Sequence, residues 1–184
     1  MTEAKPGRIR RNNIFVIFDM SGTLFEIGSG SPLPGAMELV REMHDSGIRI
    51  AVSTSMSAHE ASALLSGKGV ADCFDAIVGE HHHPTVEGRL KIALASFTSR
   101  KTNLPIPNRE VFVIDDRASR VEPVVKMGFK FIGVCTGEST RSDFERGPYK
   151  PFAVFDDLWN TSKVIDTVLS TRTHYSLKKT RVPA

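Results

Sequence analysis

The sequence predicts an α/β domain in which helices cover both faces of one parallel sheet. Three observations predict it. Short runs rich in β-branched and aromatic residues alternate with segments of helical spacing. Those runs are apolar throughout, as strands buried on both faces are, and do not alternate apolar with polar. Acidic or hydroxyl residues stand directly after several of them.

Taken in order, Ile14–Phe18 reads as the first strand, stopped by Asp19. Pro34 opens a helix whose apolar face is Met37, Val40 and Met43, and Gly47 ends it. Ile48–Val52 is the second strand, followed by a helix at Ser57–Leu65 and a third strand at Ala76–Val78. A helix at Leu90–Ser99 leads to a fourth strand at Val111–Ile114. The next helix spans Ser119–Met127. There Ser119-Arg120-Val121-Glu122 reads as a capping box, and Pro123 falls just inside the helix. Phe129–Val134 is the fifth strand, and a helix at Asp157–Leu169 closes the series. The expectation is a single Rossmann-like domain of about five strands over residues 14–170. It has no repeat or internal linker and is flanked by tails at 1–13 and 171–184.

Composition excludes several classes. The 184 residues are 40% apolar and 24% charged, which is ordinary for a globular domain. No apolar run approaches the length of a bilayer span, and no apolar stretch follows the basic N-terminus as a secretory signal would require. Cys73 and Cys135 do not make a disulfide framework, so the expected compartment is reducing and cytoplasmic. The formal charge of +3 is unevenly spread. Residues 1–13 carry +3 and residues 171–184 carry +4, which leaves the body at −4. Basic tails of this kind could touch nucleic acid, but neither has an interleaved aromatic pattern, and solvated termini are the favoured reading.

Ligands of open parallel sheets bind beyond the carboxyl ends of the strands, where strand order reverses. Asp19 follows the first run, Ser53 and Thr54 the second, and Asp115 and Asp116 the fourth. Carboxylates and a hydroxyl gathered at strand exits point to a metal-assisted site acting on an anion.

Phe18-Asp19-Met20-Ser21-Gly22-Thr23-Leu24-Phe25 resembles the first motif of the haloacid dehalogenase-like superfamily, Asp-x-Asp-Gly-Thr, with Ser21 in place of the second aspartate. Ile50-Ala51-Val52-Ser53-Thr54 is similar to the family's second strand, with Thr54 as the motif-two hydroxyl. Val111-Phe112-Val113-Ile114-Asp115-Asp116 resembles motif four, with Asp116 as its second acidic group. Lys91, at a helix start 24 residues before Asp115, matches the motif-three cation, with Arg89 as runner-up. The resemblance covers about residues 14–136. It implies a Mg²⁺-dependent phosphohydrolase with Asp19 as nucleophile and Thr54 and Lys91 as catalytic partners. The metal ligands it implies are Asp19, Asp115, Asp116 and the backbone carbonyl of Ser21.

The residue types suit that chemistry. A carboxylate can attack phosphorus and split hydrolysis into two steps, and a hard cation offsets the repulsion between the two anions. Ser21 cannot protonate a leaving group as the family's aspartate does. A missing general acid–base costs about 10² to 10⁴ in rate, most for sugar and alkyl leaving groups and least for acyl or aryl phosphates. Ser21 therefore predicts slow turnover on poor leaving groups. It also keeps a second reading open, a binding or regulatory protein with weakened catalysis. A third reading is a nucleic-acid-end phosphatase recruited by the basic tails.

His81-His82-His83 faintly echoes a zinc loop, but the cysteines of such a loop are missing and a polar loop is the simpler reading. Arg117 and Arg120 could meet a substrate anion or merely pair on the surface. Thr23 to Thr54 spans 31 residues and Thr54 to Lys91 spans 37, and neither gap holds a cap domain. An open site implies a phosphorylated substrate that is itself macromolecular, or a second copy of the chain that closes it.

Overall fold

The computed structural model describes residues 14–101 and 107–170, and both tails lie outside the described residues. Six parallel strands form one sheet: β1 (Phe15–Phe18), β2 (Arg49–Ser53), β3 (Ala76–Val78), β4 (Val111–Asp115), β5 (Lys130–Val134) and β6 (Ala153–Phe155). Their order is β3-β2-β1-β4-β5-β6, so the chain steps outward from β1 in one direction, then returns to its other side. The helices are α1 (Ala36–Asp45), α2 (Ala58–Gly67), α3 (Val86–Lys101), α4 (Val121–Lys126), α5 (Arg141–Arg146) and α6 (Thr161–Ser170).

Two cores result, one on each face. Val16 and Phe18 of β1 pack with α1, α2 and α6, through Leu39, Leu65 and Val168 among others. Phe15 and Ile17, the alternate residues of the same strand, pack with α3, α4 and α5 through Phe97, Val124 and Phe144. This double burial explains why β1 is apolar at every position.

The five expected strands are present, and a sixth, β6, is added at the edge. It is three residues long and begins two residues after Pro151, which is too little pattern for periodicity to register. Helix α5 was likewise not expected, because Phe144 is its only buried apolar residue. Its start is fixed by a capping box in which Thr140 and Asp143 exchange bonds. The capping box expected at Ser119 does not form. Residues Ala118–Arg120 make a 3₁₀ turn, and Arg120 caps α4 with no side-chain bond. Ser139, from the loop after β5, instead accepts the Ala118 amide at 2.9 Å. Pro123 is accommodated in the first turn of α4, where its missing N–H would have had no intrahelical partner.

The segment between β1 and β2 holds one loop and α1. Between β2 and α3 lie only α2, a 3₁₀ turn and β3. No cap domain is inserted at either place.

Candidate active site

Strand order reverses between β1 and β4, and the register there is direct: Phe18 pairs with Ile114 on one side and Val52 on the other. The next residue on each strand is therefore Asp19, Asp115 or Ser53. The Asp19 amide donates to the Ile114 carbonyl at 2.9 Å, which carries the ladder up to the site.

Asp19, Asp115 and Asp116 each offer a carboxylate oxygen, and these oxygens all lie within 4.8 Å of one another. All three residues are buried. Asp19 is held well above the usual carboxylate range, first by burial and then by the Asp115 charge, with Arg117 acting in opposition. Asp115 is also raised by burial, again against Arg117. Arg117 is the counterion to two of these carboxylates. Its amide and its Nε both donate to Asp115 Oδ1, at 2.9 and 3.4 Å, and its Nη2 donates to Asp19 Oδ1 at 3.3 Å. Burial alone would lower the guanidinium, but the three carboxylates raise it.

Asp116 is wholly buried, and two close approaches of backbone make room for it. A Cβ on Gly22 or on Gly137 would collide with its carboxylate, and Gly22 also has φ +80°, which favours glycine. The Glu138 amide donates to Asp116 Oδ2 at 2.7 Å, while Thr136 Oγ1 donates to the Gly22 carbonyl at 2.6 Å. Asp116 Oδ1 has no hydrogen-bond partner. An unpartnered carboxylate oxygen deep in a site, beside two further acids, is costly unless a cation meets it. The donor set, all hard anionic oxygen, fits Mg²⁺.

The other expected residues separate. Ser21 is exposed. Thr54 is buried, but its hydroxyl accepts the Met56 amide at 3.1 Å and does not line the cavity that holds Asp19. Ser53, one residue earlier, does line that cavity. Lys91 lies on the exposed side of α3, whereas Arg89 is 4% exposed and lines the cavity with Asp19, Asp115 and Arg117. Both placements have one cause. Motif spacing tolerates a shift of one or two residues, but a strand or helix turns a neighbouring side chain to another face. For Arg117 the sequence left open a substrate contact or a surface pair, while Thr136 and Gly137 were not singled out. The exit of β5 carries small polar residues, as the other strand ends do, and that was the available signal.

The histidines form no metal group among the described residues. His82 Nδ1 accepts the Gly79 amide at 3.1 Å, and His83 Nδ1 accepts the Thr85 amide at 3.2 Å. They shape the loop before α3.

Comparison with solved structures matches this architecture. A protein described as a phosphatase from Clostridium difficile superposes with a TM-score of 0.71 at 13% identity, covering 84% of this chain and 99% of that one. A second, described in the same terms, from Clostridium acetobutylicum gives 0.68 at 18%, covering 84% and 99%. A haloacid dehalogenase-like hydrolase from Bacteroides fragilis gives 0.67 at 16%, covering 79% and 97%. The chain has the haloacid dehalogenase-like fold. In this fold the carboxylates of Asp19, Asp115 and Asp116 gather at adjoining strand ends. No protein-family model matches the sequence. Among curated proteins, a chloroplastic protein of Arabidopsis thaliana, suppressor of quenching 1, is 31% identical over 135 residues. The match takes in 73% of this HAD-like chain, which spans only 12% of that protein's length.

Proposed function

We propose that this chain is a Mg²⁺-dependent phosphohydrolase that forms an aspartyl phosphate on Asp19. The observation that carries the reading is the buried carboxylate triad at the β1–β4 reversal, with Asp116 Oδ1 left unpartnered. Asp19, Asp115 and Asp116 would hold the ion, whose positive charge offsets the repulsion between these acids and a dianionic phosphoryl group. The carbonyl of Ser21 is a further candidate ligand.

Asp19 attacks phosphorus, forming the carboxylate O–P bond as the bond to the leaving oxygen breaks. Ser53 and Arg89, which line the cavity that holds Asp19, would stabilise the charge the phosphoryl oxygens gain. The leaving oxygen takes its proton from solvent, since Ser21 carries no acid. Water then attacks the phosphorus of the acyl phosphate, releasing inorganic phosphate and restoring Asp19. Leaving groups that need no proton should be favoured. Acetyl phosphate and an aryl phosphate are therefore expected to turn over faster than sugar phosphates, with Mg²⁺ and not with EDTA. Equal rates with EDTA, or full activity in Asp19→Asn, would overturn the mechanism.

The second reading, a HAD-fold binding protein with weakened turnover, rests on the exposed Ser21. It predicts Mg²⁺-dependent beryllofluoride binding at Asp19 with no turnover on any of these substrates. With no cap among the described residues, the open site suits a macromolecular substrate, or a small one enclosed by a second copy of the chain. A cytoplasmic location and recruitment by the basic tails belong to the same proposal.

A further inference from the structure

Beside the carboxylate site lies a larger, open cavity of about 630 Å³, lined by Ser55, Glu80, His81, the first turn of α3, Arg89 and Arg120. Arg89 and Val86 line both this cavity and the small one that holds Asp19, so the two adjoin. Its lining carries two arginines and two glutamates that do not pair with one another. Among the described residues, Arg49, Arg117, Arg141 and Arg146 each form an ion pair, whereas no carboxylate lies within pairing distance of Arg89 or Arg120. Glu80 and Glu87 line the cavity but form no ion pair with either.

The Nε of Arg89 and the Nε of Arg120 are both buried without a hydrogen-bond partner. One Nη of Arg89 is spent on the carbonyls of His83 and Pro84, at 2.9 and 3.0 Å. After burial, the largest influence on Arg89 is repulsion from Arg120, so the two guanidinium groups are close enough to disfavour each other. Two like charges with unmet donors at one cavity wall are stabilised by an anion between or beside them, and the α3 N-terminus adds a favourable dipole.

We propose that this cavity is a second anion subsite, with Arg120 as its principal contact, and that the substrate is a small phosphate ester carrying a carboxylate or second phosphate beyond the scissile group. The inference rests on the phosphohydrolase reading for the position of the phosphoryl group, not for the subsite itself.

Two measurements test it. The first is turnover of 2-phosphoglycolate against 2-hydroxyethyl phosphate, which differ in the distal charge. The wild-type chain is expected to prefer the former in kcat/KM by tenfold or more, and Arg120→Gln to lose roughly that factor of preference. The second is calorimetric binding of phosphonoacetate against ethylphosphonate to the wild-type chain with Mg²⁺, which needs no catalysis. Preference for phosphonoacetate without turnover of any ester supports the subsite and overturns the phosphohydrolase reading. Turnover or binding with no preference for the distal charge overturns the subsite and leaves the phosphohydrolase reading standing. A bisphosphate run alongside tells a carboxylate subsite from a phosphate one.

Discussion

Arg117 Nη2 donates to Asp19 Oδ1 at 3.3 Å, so a guanidinium already touches the carboxylate that must attack phosphorus. The same side chain reaches Asp115, and it offsets part of the charge that burial makes costly. Removing one partner of a buried pair leaves the other charge unmet.

Arg117→Gln is therefore expected to destabilise the metal-free protein by about 2–3 kcal/mol, discounted because the guanidinium is partly exposed. Thermal unfolding with increasing Mg²⁺ checks it. The variant should gain more in Tm from the ion than the wild-type chain does, because no resident cation competes. An equal gain in both would show that Arg117 does not counterbalance the triad.

Asp19 titrates above the usual carboxylate range, which sets the sign of a pH effect. The unfolded chain ionises near pH 3.9, while the folded, metal-free protein holds the proton to higher pH. Stability is thus full below that unfolded value and is lost as pH rises through the raised one. Asp19→Asn removes the loss. Without metal it should unfold about 1–3 kcal/mol less readily than the wild-type chain at pH 8, and the difference should vanish below about pH 4. Denaturant titrations in EDTA at the two pH values check this.

The placement of Arg89 and Lys91 separates two variants that motif spacing does not. Arg89→Gln is expected to lower kcat/KM on an aryl phosphate by about a hundredfold, the usual loss for a transition-state donor. Lys91→Gln should stay within about twofold. The reverse ranking would restore Lys91 as the cation.

Gly137 offers a test of the Asp116 pocket free of backbone strain, since its φ is not positive. Gly137→Ala would drive a methyl group into the Asp116 carboxylate. It should abolish most of the Mg²⁺-induced rise in Tm while the metal-free fold persists. An undiminished rise would take Asp116 out of the ligand set.

Ser21→Asp restores an acid two residues after Asp19. It is expected to raise turnover of a sugar phosphate by 10² or more, and that of acetyl phosphate far less. Steady-state rates on the two substrates decide. No increase on either would mean that leaving-group protonation does not limit the reaction.

Much of this was legible in the sequence because burial on both faces writes a strand as an unbroken apolar run. β1, β2, β4 and β5 were read that way, and Asp19, Asp115 and Asp116 were found as the polar residues next in line. What motif spacing does not resolve is a choice between residues one or two positions apart. Thr54 against Ser53 and Lys91 against Arg89 turn on which side chain faces inward, which needs the register of β1 with β2 and the rotation of α3. The clamp from the β5 exit leaves only small polar residues after an apolar run as its trace in the sequence. Thr136 and Gly22 are 114 positions apart and meet only through the order of strands.

That clamp makes the two sides of the catalytic centre unequal. On the β5 side, any bulk added to the glycines or any loss of the Thr136 bond disturbs a carboxylate, so divergence there should be penalised. Residues 80–87 border the open cavity, so exchange there leaves the carboxylates undisturbed. A change of preferred ester among descendants of this chain would be written on that second bank, with the chemistry opposite left intact.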